Sequence, residues 1–122
     1  MAVTIGTISD NLANTLLTDT AVTDASSTSA TASSSTLFTV RVDGSSATAS
    51  SFIKIIDDSS ATPDSNNPDY VFYTPTGTVT EYVAYEGNAF ATAIRYWGTS
   101  TRANATAQAA PSGTLALRLL FT

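Results

Sequence analysis

Along TLALRLLF, residues 114–121, Leu115, Leu117, Leu119 and Phe121 fall on one side of an extended chain, while Ala116, Arg118 and Leu120 fall on the other. Successive side chains of a strand point to opposite faces, so a period of two marks a strand with a buried row. The same period begins at LFTVRV (37–42), where Phe38, Val40 and Val42 face one way and Thr39 and Arg41 the other. In SFIKIID (51–57), Ile53 and Ile55 share one face, and Phe52, Lys54 and Ile56 the other. Apolar residues on both sides predict that both are covered, one as core and one as an interface.

YVFYT (70–74), TVTEYVAY (78–85) and FATAIRYW (90–97) continue the series. Turn chemistry separates the runs at Asp43-Gly44, Pro75-Thr76-Gly77, Glu86-Gly87-Asn88 and Pro111-Ser112-Gly113. At least six short strands bounded by Gly and Pro predict an all-β chain, an antiparallel β-sandwich of jelly-roll-like form. Composition agrees: a chain of 122 residues suits one hydrophobic core, and abundant Thr and Ser with 12% charged residues favour strands over helices.

Residues 1–36 read as an N-terminal arm and Ser/Thr-rich segment ahead of a sandwich domain at 37–122. Within the arm, Ile5, Ile8, Leu12 and Leu16 recur at spacings of three and four, which predicts a short helix from about Ser9 to Leu17. An extended arm docked on a neighbouring chain is the alternative. GTSTRANATAQAA (98–110) is small and polar, and reads as a surface or contact loop. Asn104-Ala105-Thr106 formally matches a glycosylation acceptor, with no secretory signal to give it consequence.

The residue inventory excludes much chemistry. There is no histidine and no cysteine, which removes imidazole and thiolate metal ligands, disulfides, and every Ser-His or Cys-His nucleophile. A net charge of −5, with one lysine and four arginines, leaves no surface able to neutralise a run of phosphates, so direct nucleic-acid binding is not expected. No 18 apolar residues run together and no charged leader precedes an apolar block, so neither a membrane span nor an ordinary secretory signal is expected.

Three constellations remain to be weighed. Asp57, Asp58, Asp64 and Asp69 could hold a hard cation, but their spacing lacks the alternate-ligand pattern of a calcium loop, and they read as a solvated connection. Glu81 with Glu86, or with one of the aspartates, could form a glycosidase pair, but they read as solvent-facing charges on a Thr-rich strand and its turn. Tyr70, Phe72, Tyr73, Tyr82, Tyr85, Tyr96 and Trp97 could line a sugar platform, and read instead as core and subunit interface. The six glycines are isolated, so no phosphate-cradling loop is present. No catalytic, cofactor-binding or metal residue is assigned.

Residues 52–97 carry a further pattern: Lys54 to Asp57 ending a strand, Ser60-Ala61-Thr62 in a loop, and Pro68 before the next strand. Pro75 to Gly77 form a turn, and Gly87 is followed by Phe90, Thr92 and Ile94. In this the chain resembles a group of small structural proteins of tailed bacteriophages, over roughly residues 37–122. The resemblance implies a virion component with a β-sandwich, a capsid decoration or cement protein on the outer surface of the head, and it transfers no catalytic residue. Its expected partners are the major capsid protein and further copies of itself, as trimers at local threefold positions with residues 1–36 lying across capsid subunits. A neck, tail or fibre-associated module and a carbohydrate-binding sandwich are the alternatives.

Overall fold

The computed structural model describes residues 2–7 and 15–122. The alternating runs become strands within a set of nine: β1 (Val3–Thr7), β2 (Thr15–Val22), β3 (Thr28–Thr31), β4 (Ser35–Asp43), β5 (Ser51–Ile56), β6 (Tyr70–Thr74), β7 (Val79–Phe90), β8 (Ile94–Thr99) and β9 (Leu115–Phe121). They form two antiparallel sheets, one in the order β1-β2-β9-β4-β7 and one in the order β3-β8-β5-β6. No helix occurs among the described residues.

The ladder pairs β2 with β9, β3 with β8, β4 with β7 and β5 with β6 are all present. Alternate pairs lie in alternate sheets, as when one long antiparallel hairpin is rolled around a common core. That winding is the jelly roll, with β1 added outside β2 as a fifth strand of the larger sheet.

The core lies where the two inner faces meet. Leu17, Val40, Val42, Leu115, Leu117, Leu119 and Phe121 come from the first sheet, and Ala30, Ile53, Ile55, Ile94 and Tyr96 from the second. Each large aliphatic side chain hidden there contributes about 1.5–3 kcal/mol relative to exposure, which offsets the cost of ordering its backbone.

Three local readings change. The β4 register shifts between Leu37 and Thr39, so Leu37, 2% exposed, joins Val40 and Val42 in the core row in place of Phe38. Glu86-Gly87-Asn88 does not close a hairpin. Val83 lies opposite Thr39 and Asn88 opposite Leu37, so residues 84–87 bulge against the single residue Phe38 inside β7. Gly87 makes this bulge feasible, since its φ of 77° suits glycine. The reversal falls instead at Ala91 to Ala93, where the chain passes from one sheet to the other.

The helix read over Ser9 to Leu17 is not borne out at its end, because Thr15 to Leu17 open β2; residues 8–14 lie outside the described residues. As a strand, this segment gains ladder partners on both sides and buries Leu17 completely, whereas a short isolated helix has neither. The described residues of the stretch 1–36 supply β1, β2, β3 and the first residues of β4.

Candidate functional site

The four aspartates of the 57–69 connection each hold backbone. Asp57 follows β5 and reaches the crossing between the sheets: its Oδ2 accepts the amide of Ala91 at 2.7 Å, and its Oδ1 accepts those of Thr92 at 2.8 Å and Ala93 at 3.0 Å. Those amides hold its carboxyl below the usual carboxylate range, Ala93 contributing most. Asp69 Oδ2 accepts the amide of Asp57 at 2.7 Å, and Asp58 Oδ1 that of Ser60 at 2.8 Å. Asp64 Oδ1 accepts the amide of Gln108 at 2.9 Å, tying this connection to the loop before β9. Among the described residues no group of three or more His, Cys, Asp or Glu side chains is placed to hold a metal ion.

Lys54 is buried on the outer face of the second sheet, beside its cross-strand neighbour Trp97. Its Nζ donates to Ala103 O at 2.7 Å, Gln108 Oε1 at 2.9 Å and Arg102 O at 3.3 Å. The three donors of the ammonium group therefore meet three neutral acceptors, all on the 98–110 loop. Burial among them pulls the lysine pKa down from its ordinary value. The loop is held further by Thr99 Oγ1 donating to Ala109 O at 2.7 Å. So the second apolar face of β5, expected to meet another subunit, is covered at Lys54 and Ile56, and Trp97 is covered beside them, within this chain.

Asp19 is buried on the inner face of β2 and accepts the phenol of Tyr96 at 2.8 Å. Burial first, and then this bond to a carboxylate, push the Tyr96 pKa strongly upward, so the phenol stays protonated and acts as a donor. Arg95 is similarly committed, its Nε donating to Ser27 Oγ at 2.6 Å. Neither Asp19 nor Lys54 stood out in the sequence as a site residue, because their partners lie 77 and at least 48 positions away.

Glu81 and Glu86 are both exposed, and Glu81 lies 4.0 Å from Arg41 across the β4–β7 ladder. The aromatic series divides. Tyr96 and Trp97 are buried on opposite faces of β8, and Tyr70 and Phe72 pack against the core. Tyr73, Tyr82 and Tyr85 are exposed, Tyr85 at 94%. Tyr73 stacks at a tilt on Phe52, 5.4 Å between centroids, and with Arg102 the two rings line a cleft of about 390 Å³. Tyr82 donates to Tyr73 O at 2.9 Å and sets its ring 4.7 Å from Phe72, closing the sandwich along the β6 and β7 side.

Chemically, this arrangement locks segments to one another. Asp19, Lys54, Asp57 and Tyr96 each have partners within the frame, whereas the buried indole nitrogen of Trp97 has none among the described residues. Among the described residues, the large apolar side chains that reach solvent lie on edge strands: Val3 and Ile5 on β1, Val71 and Tyr73 on β6, and Val79, Tyr82, Val83 and Tyr85 on β7. Comparison with known protein families, with curated proteins and with solved structures finds no match. Among the described residues no helix is long and apolar enough to cross a membrane.

Proposed function

We propose that this chain is a virion structural protein, a decoration or cement protein that lies on the outer surface of an assembled bacteriophage head and stabilises it. Its partners in this reading are the major capsid protein and further copies of itself, in closed cyclic oligomers such as trimers. The observation that carries the reading is the division of labour among side chains. Charged groups with shifted pKa are spent on holding the frame, and the exposed apolar area lies at strand edges. Such a surface suits burial against neighbours, and a clamp that binds only the assembled shell stabilises it by mass action.

Two further points support it. The residues on which the chain resembles small tailed-phage proteins include two that do structural work here, Lys54 under its loop and Asp57 at the sheet crossing. Jelly rolls also recur in viral capsid and lectin domains, an argument from fold analogy alone. The test is direct: purified protein is added to empty heads lacking it, and co-sedimentation and thermal release of the shell are measured. Stoichiometric binding with a raised release temperature is expected. Absence of binding overturns the reading, and a copy number of a dozen or fewer per particle moves the protein to the neck, tail or fibre.

A further inference from the structure

We propose that copies of this chain join head to tail through the two free edges of the five-stranded sheet, β1 of one copy against β7 of the next. The proposal rests on the cyclic-oligomer part of the reading above and names the surfaces that make it. β1 and β7 are the end strands of one sheet, and among the described residues each pairs on one side only. Four antiparallel steps separate them, from β1 through β2, β9 and β4 to β7, so the two edges run in the same direction. Rotation about an axis along the strands then brings β7 of one copy beside β1 of the next as a parallel pair able to exchange backbone hydrogen bonds. The regular part of β7 ahead of its bulge, Val79 to Val83, matches the five residues of β1 in length.

The chemistry of the two edges selects this contact. Monomeric sandwiches blunt free edges with lysine, proline or a covering loop. Neither VTIGT of β1 nor VTEYVAYEGNAF of β7 contains a lysine, arginine or proline. Both present apolar side chains: Val3 and Ile5 at one edge, and Val79, Tyr82, Val83 and Tyr85 at the other. Charge then separates the alternatives. Pairing β7 with its own copy brings Glu81 and Glu86 of both chains to one seam, and like charges across a strand pair are destabilising. β1 carries no charge and offers β7 a neutral apolar partner. A head-to-tail contact leaves one unused edge at each end and repeats until the ring closes.

Sedimentation equilibrium on the full chain tests this with two variants. Ile5→Glu sets a carboxylate on β1 against Glu81 and Glu86 of β7, and Val83→Glu blocks the β7 edge, at positions 54% and 58% exposed. The unmodified chain is expected to sediment as a closed oligomer, each variant alone as a monomer, and an equimolar mixture as a dimer, since the mixture has one intact β1 and β7 edge between two copies. If either variant shows a misfolded circular dichroism spectrum, Val3→Glu or Val79→Glu replaces it. An unmodified chain that stays monomeric at the highest concentration it can be held in solution, a variant that still oligomerises alone, or a mixture that stays monomeric overturns the proposal. Shell binding is scored separately, so a chain that coats heads but never forms rings counts against the edges and not against the decoration reading.

Discussion

The Tyr96 hydroxyl donates to Asp19 Oδ2 at 2.8 Å across the interior of the sandwich, joining β8 of one sheet to β2 of the other. A carboxylate with no solvent exposure is costly unless its acceptors are matched, and here the second oxygen takes the amide of Ala21 at 3.1 Å. Tyr96→Phe keeps the ring and removes this donor. The expected loss is about 1–3 kcal/mol of unfolding free energy, read from the urea midpoint. A midpoint unchanged within error would show that the bond contributes nothing net.

Asp57 brings an acid-side pH dependence to the frame. Its folded pKa is depressed by three amides, so its contribution is fully present above the unfolded carboxylate range and is lost as pH falls through the folded value. Asp57→Asn is expected to lower the melting temperature at neutral pH. It should also flatten the acid limb of the stability curve below about pH 4. Parallel acid limbs for the two proteins would remove Asp57 as its source.

Lys54→Met keeps the apolar stem and deletes the ammonium group. The core should survive, while the loop at 98–110 loses its central anchor at Ala103 and Gln108. Faster proteolysis after Arg102 and faster amide exchange through that loop are expected, with little change elsewhere. With Lys54 present, its lowered pKa means that the unfolded chain binds more protons in mildly alkaline solution, so this group's contribution to stability rises toward about pH 10. The methionine variant should lack that rise.

Gly87→Ala tests the bulge in β7. A methyl group there meets Thr36 Cγ2 and lies 3.0 Å from Phe38 Cε1, at a φ of 77° that side chains rarely adopt. Destabilisation of about 1–3 kcal/mol is expected by calorimetry, from the strained backbone conformation and the crowding together. Gly77→Ala has a similar φ but open space around it, and should cost less.

The strands β5, β6 and β9 are legible because each is a short run of apolar, mostly β-branched, aromatic or leucine residues set off by a nearby Gly, Pro or Asp. β2 was not. Its inner row runs Leu17, Asp19, Val22, with an acidic residue in the core and a register shift between Asp19 and Val22, so the period of two is broken twice. The spacing from Ile5 to Leu16 imitated a helix meanwhile. β3 holds one buried apolar side chain, Ala30, and becomes a strand through its ladder to β8 rather than through its own composition. The aspartates read as a connection, but which amides they hold depends on segments up to 44 residues away, and no local pattern encodes that. Likewise the polar loop at 98–110 was visible as a loop, whereas its place over Lys54 follows from the winding of the strands.

The position of β9 between β2 and β4 bears on how the molecule is made. Until residues 115–121 leave the ribosome, the larger sheet has a gap one strand wide, with Leu17 and Val40 both lacking Leu119, the residue opposite each of them in β9. β2 can pair with β1 early, but its other side must wait for a partner about a hundred residues downstream, so closure is late and slow, and nascent chains stalled before Leu115 should be the species that chaperones hold.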